Sequence, residues 1–175
     1  MISNISNGAE IAFIDGALSE QAKTDIRAAL RPGVEYIEIS AATDGVSQIQ
    51  AVLEERSGVS ALHIFSEGSA GRFQLGSGVI DQAALSGEAG IAMAGWAGAL
   101  TADADILIYG CDVGAAGPAL ADRIAQLTGA DVALSIDKTG AAARGGNWDL
   151  ELASGAIDTR MALTADAAGD VDHVE

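Results

Sequence analysis

The chain has 175 residues, 49% of them hydrophobic and only 4% aromatic, which suits one domain with an aliphatic core. Lys and Arg number 9 against 25 acidic residues, a formal net charge of −16, which argues against a nucleic-acid phosphate footprint and against anionic membrane surfaces. The single cysteine excludes an internal disulfide, and no apolar run approaches the roughly 20 residues of a membrane span.

Residues 1–9 read as a polar lead-in without the basic and apolar regions of an export signal. The protein is therefore expected either to be cytosolic or to be a module of a longer chain whose signal lies elsewhere. Glu10 to Asp15 forms a first strand that stops at Gly16. Ser19 caps a helix over 20–30, with Ala22, Ile26, Ala29 and Leu30 on one face, and Arg31-Pro32-Gly33 ends it. Residues 34–39 alternate, as a strand near a sheet edge does. Thr43-Asp44-Gly45 opens a helix over 45–56, closed by Ser57-Gly58.

The apolar run 59–66 is a strand buried on both faces, and it breaks off at Glu67-Gly68. Gly76-Ser77-Gly78 centres a hairpin over 72–80. A helical stretch over 81–100 carries Leu85, Ile91, Met93, Trp96 and Leu100, and its glycines predict a break near Gly87. A second buried strand, 104–109, runs into Gly110-Cys111-Asp112. Pro118 opens a helix over 118–128, and a fifth strand over 131–136 ends at Asp137. After a loop of small residues, 147–152 alternates as an antiparallel edge strand. The domain thus spans 10–157, with 158–175 as an acidic tail or linker.

This order predicts an α/β three-layer sandwich. Its mostly parallel sheet has strand order 2-1-3-4-5 plus the edge strand. In such a sheet, ligands meet the C-terminal strand ends, here Asp15, Glu67, Cys111 and Asp137. If the third and fourth strands are neighbours, Glu67 and Cys111 face each other across a few ångströms.

The chemistry of that pair is uneven. A thiol between Gly110 and Asp112 at a sheet edge is a candidate nucleophile. A carboxylate is a poor base for it: with ordinary pKa values of about 4.3 and 8.5, proton transfer from thiol to Glu67 is uphill by about 6 kcal/mol. The charges of Glu67 and Asp112 also disfavour a thiolate. His63 sits two strand steps from Glu67 and reads as a half-buried structural residue, and His173 lies in the tail. No cofactor is expected, because the glycine-rich stretches lack a phosphate-loop lysine. No metal is expected, because the acids lack calcium-loop spacing.

Several stretches resemble a known family. They are Ala61-Leu-His-Ile-Phe-Ser-Glu-Gly-Ser-Ala-Gly71, Gln74-Leu-Gly76, Ala102-Asp-Ala-Asp-Ile-Leu-Ile-Tyr-Gly-Cys111, Ala125-Gln-Leu-Thr-Gly-Ala-Asp-Val132 and Gly145-Gly-Asn-Trp-Asp-Leu-Glu151. Together they resemble a bacterial domain of unknown function found near the start of giant secreted adhesins and calcium-repeat proteins. In layout that domain is similar to caspase-like, clan CD cysteine peptidases. The resemblance implies Cys111 as nucleophile, Gly68 as an oxyanion-hole amide and a histidine at position 67. From their place at or beside the strand ends, Asp15, Ser66, Asp112 and Asp137 are expected to line the substrate cleft. Here the family's Ser-His-Gly reads Ser66-Glu67-Gly68, so the acid–base member of the dyad is missing.

The resulting expectation is a cysteine-peptidase-type domain of a large bacterial surface or secreted protein. Its role would be (auto)proteolytic processing of a peptide segment in cis or in trans, and the chain is inactive as written. The rival is a non-catalytic interaction module presenting an acidic cleft. Neither reading involves nucleic acid or membrane insertion, and the sequence is silent on oligomeric state.

Overall fold

A computed structural model describes residues 8–171; residues 1–7 and 172–175, and with them most of the expected lead-in and His173, lie outside the described residues. In the main sheet β1 (Ala9–Asp15) is flanked by β2 (Val34–Ile39) and β3 (Val59–Phe65). Beyond β3 come β7 (Leu100–Tyr109), β8 (Asp131–Leu134) and β9 (Leu152–Ala153). The sheet order is β2-β1-β3-β7-β8-β9, parallel throughout except for antiparallel β9. This is the predicted order, with the hairpin strands counted separately.

Alternation along each buried strand divides the core in two. Ile11, Phe13, Leu62, Ile64, Ile106 and Ile108 point to one face, where they meet α2 (Gly45–Leu53) and α5 (Ala119–Thr128). Ala12, Ile14, Phe65, Leu107 and Tyr109 point to the other, toward α1 (Glu20–Ala29). Burying one such large apolar side chain stabilises the fold by roughly 1.5–3 kcal/mol.

The hairpin forms as predicted: β5 (Arg72–Leu75) pairs antiparallel with β6 (Gly78–Ile80), and β4 (Gly68–Ser69) adds a third short strand. The helical stretch after it breaks where expected. It runs as α3 (Gln82–Leu85), α4 (Glu88–Ala94) and a 3₁₀ turn over Gly95–Ala99. Gly90 allows the fold-back, since a Cβ there would collide with the Leu85 carbonyl.

Differences from the sequence reading gather in the C-terminal third. The fifth strand stops at Leu134, because Ser135, Ile136 and Asp137 turn back: the Ser135 hydroxyl donates to the Asp137 carbonyl at 3.0 Å. The edge ladder is Leu152–Ala153 rather than 147–152; Trp148 and Leu150 instead pack beneath the sheet. The segment expected to be an acidic tail packs on the domain as far as it is described. Ala162, Leu163 and Val171 are buried, and α6 (Ala165–Ala168) lies on the α1 side. Backbone bonds hold it: Arg31 N donates to Ala162 O at 2.7 Å, and Thr164 N to Ala29 O at 2.8 Å.

Candidate functional site

Parallel pairing of β3 with β7 runs to Phe65 opposite Tyr109, and Ser66 N donates onward to Tyr109 O at 3.2 Å. Glu67 and Cys111 follow at matched positions beyond this last pair. The two strand ends touch: a Cβ placed on Gly68 would lie 2.7 Å from the Cys111 carbonyl oxygen and 2.5 Å from Val113 Cγ2. Only glycine permits this approach, which is why the apolar run must break at Gly68.

Cys111 is half-buried, and Thr139 N–H donates to its Sγ at 3.3 Å. A donor aimed at sulfur supports negative charge there. The chain then turns sharply at Asp112, whose φ of 60° is the only positive value at a non-glycine residue among the described residues. Asp112 N donates to Asp137 O at 2.8 Å, tying the β7 end to the loop after β8. The Asp137 carboxylate is exposed, and both its oxygens accept from Asn147 Nδ2, at 3.2 and 3.1 Å. A 3₁₀ turn over Val113–Ala116 follows directly, and α5 begins only at Ala119.

Asp15 and Ser66 form a second group. They come next after the Ile14–Phe65 pair of β1 and β3, and both are fully buried. Asp15 Oδ1 accepts from Gly76 N in the hairpin at 2.7 Å, whereas Asp15 Oδ2 and Ser66 Oγ are buried without a partner. Burial pushes the Asp15 carboxyl above the usual carboxylate range, and the Glu67 charge adds to this, against N–H donors from Gly76 and Ala17.

Glu67 stands between the groups and is exposed. With Gly68, Ser69, Arg72, Gln74 and Val79 it lines a depression of about 290 Å³ along the hairpin, and Cys111 is not part of that lining. The candidate residues therefore share one end of the sheet. Cys111, Asp112 and Asp137 gather at the β7–β8 side, Asp15 and Ser66 lie beneath the hairpin, and Glu67-Gly68 bridges them.

His63 is fully buried rather than half-buried. Its Nε2 lies 2.8 Å from Glu10 Oε1 and its Nδ1 lies 3.2 Å from the Tyr109 hydroxyl. Among the described residues, no group of three or more His, Cys, Asp or Glu is placed to hold a metal ion. Nor is any helix among them long and apolar enough to cross a membrane. Sequence reasoning missed Thr139 and Gly76, which touch the site only through contacts distant along the chain.

A family model described as a domain of unknown function (DUF4347) matches residues 11–174. No curated protein matches the chain. Among solved structures it is similar to a short chain dehydrogenase family protein from Francisella tularensis subsp. tularensis SCHU S4. That match has 11% identity and a TM-score of 0.33, and covers 69% of this chain and 59% of that one. The chain spans less than two thirds of that protein's length, and a likeness this distant does not bear on function.

Proposed function

The chain belongs to this family of domains of unknown function, and from that premise we propose that it is a cysteine-peptidase-like domain of a larger bacterial surface or secreted protein, held inactive by Glu67. The observation that supports this reading most is the contact of Gly68 with the Cys111 carbonyl. It sets a nucleophile-type residue and position 67 at neighbouring strand ends, where parallel α/β sheets carry their chemistry.

The missing step is proton transfer. With an imidazole at position 67, the Cys111 thiol would lose its proton to that ring. Its sulfur would then attack a peptide carbonyl, with Gly68 N–H as one donor to the developing oxyanion. The ring would return the proton to the departing amine, leaving a thioester for water to hydrolyse. A carboxylate cannot take the first proton at modest cost, and its charge opposes a thiolate.

The test compares Glu67→His with the chain as it stands, by self-cleavage and by the rate of Cys111 alkylation at pH 7. Faster alkylation and new cleavage products are expected in the variant; equal behaviour removes the dyad assignment.

A second reading has its own support. Glu67 is exposed and lines the hairpin depression together with Arg72 and apart from Cys111, as suits an interaction module that offers charged groups to a peptide partner in cis or in trans. Cys111→Ala separates the two readings. It leaves partner binding intact under the second and abolishes any cleavage restored by Glu67→His under the first.

A further inference from the structure

A chain of polar groups runs from Glu10 at the start of β1, through mid-strand His63, to Tyr109 at the end of β7 and on to the C-terminal segment. Arg31 Nη2 donates to Glu10 Oε1 at 2.8 Å, and His63 Nε2 lies 2.8 Å from the same oxygen. His63 Nδ1 lies 3.2 Å from the Tyr109 hydroxyl, and that oxygen accepts from Ala162 N at 3.1 Å. His63 and Tyr109 are both fully buried.

Only one proton arrangement satisfies every group. Glu10 accepts, so Nε2 carries the hydrogen of a neutral ring. Nδ1 is then the acceptor for the Tyr109 O–H, and the Tyr109 oxygen is left to accept from Ala162. A second proton on His63 turns Nδ1 into a donor. The Tyr109 hydroxyl hydrogen then loses its acceptor in a place water does not reach, and its oxygen must serve both Nδ1–H and Ala162 N–H. A buried donor left unmade disfavours the arrangement.

We propose that Glu10, His63 and Tyr109 form a proton-operated latch that holds residues 158–171 on the domain, and that protonation of His63 releases this segment. The Tyr109–Ala162 bond is one of several attachments of this segment. Besides Ala162, Arg31 Nε donates to Met161 O at 2.5 Å and Arg31 Nη2 to Arg160 O at 3.1 Å. Asp105 Oδ2 accepts from Asp158 N, Thr159 N and Thr159 Oγ1 at 3.0, 3.0 and 2.7 Å.

The charges that face His63 are Glu10 on β1, Asp105 on β7 and Arg31 after α1. Arg31 already neutralises Glu10, so a charged imidazole would enter an occupied ion pair. Burial lowers the His63 pKa from its ordinary value, partly offset by Glu10. The latched state thus binds fewer protons than the released one. Latching is complete above the ordinary histidine pKa of about 6.5 and weakens below it, by up to tenfold in the latched-to-released ratio per pH unit.

The experiment is amide hydrogen exchange on the whole chain between pH 7.5 and 5.0, corrected for intrinsic rates, with the Trp148 indole N–H followed by NMR. Trp148 Nε1 donates to Ala168 O at 3.0 Å and so reports the docked segment. Exchange over 158–171 is expected to rise about tenfold per unit below about pH 6.5, while β3 and β7 stay protected. His63→Gln, which does not titrate, should remove that pH dependence. Tyr109→Phe, which removes the hydroxyl, should give fast exchange of the segment already at pH 7.5. Three outcomes overturn the latch: flat exchange in the unmodified chain, loss of protection in β3 and β7 together with the segment, or a Tyr109→Phe segment as protected as the original. The unmodified chain and Tyr109→Phe decide the matter even if His63→Gln does not fold.

Discussion

Gly68 packs its bare α-carbon against the Cys111 carbonyl oxygen, so closely that a methyl group there would lie 2.7 Å from that oxygen and 2.5 Å from Val113 Cγ2. The neighbours are backbone and a buried valine, neither able to swing away. Gly68→Ala should therefore push the β3 and β7 ends apart and destabilise the fold by about 1–3 kcal/mol. Urea unfolding measures this. A midpoint equal to that of the unmodified chain would show that the two ends are not in contact.

Asp112 imposes two effects on Cys111 that substitution can separate. Its backbone occupies the left-handed region at φ 60°, which Asn tolerates as well as Asp. Its carboxylate adds negative charge next to the thiol. Asp112→Asn should leave stability within about 0.5 kcal/mol and raise the alkylation rate of Cys111 at pH 7 a few-fold. Asp112→Val, which keeps no tolerance for this conformation, should cost about 1–2 kcal/mol. Thermal unfolding and thiol trapping read out the two effects independently.

These two residues also mark how far the sequence could be read. The ends of β3 and β7 were legible because each apolar run of aliphatic residues stops at a glycine beside a polar residue, and the strand order followed from the alternation of strands and helices. The partner of the thiol was not legible. Thr139 reaches Cys111 through a loop of small residues without periodicity, so nothing local announced the contact. The segment 158–171 misled for a similar reason. Its composition is acidic and small, and its attachment depends on Asp105 and Tyr109, residues that a strand pattern presents only as core positions. Asp15 and Ser66 were placed at the right end of the sheet, but their burial beneath the hairpin depends on Gly76, which lies 61 residues from Asp15 along the chain.

Thr139 offers a cleaner probe of the thiol than its distance along the chain suggests. Its Oγ1 is buried without a partner, while its N–H is directed at the Cys111 sulfur. Thr139→Val keeps the shape and the N–H and removes a hydroxyl whose desolvation is uncompensated. The variant is expected to be as stable as the original or more so, by up to about 1 kcal/mol, with unchanged alkylation of Cys111. A loss of stability beyond about 1 kcal/mol would mean that the hydroxyl does find a partner in solution.

Glu10 gives the sharpest acid dependence. The hydrogen bond from His63, with Arg31 assisting, lowers its pKa from 4.5 to about 2, against the opposing effect of burial. The folded carboxyl therefore holds its proton more weakly than the unfolded one. Its contribution to stability is complete above pH 4.5 and is lost as pH falls from 4.5 toward 2. Discounted for solvent screening of the partly exposed carboxylate, this shift corresponds to a contribution of about 1–3 kcal/mol at neutral pH. Glu10→Gln should lose most of it at pH 7 and should flatten the stability curve between pH 4.5 and 2 relative to the unmodified chain. Denaturant titrations at pH 7, 4.5 and 3 measure the difference. If the two chains lose stability in parallel across that acid range, the Arg31–Glu10–His63 cluster is not the group that titrates there.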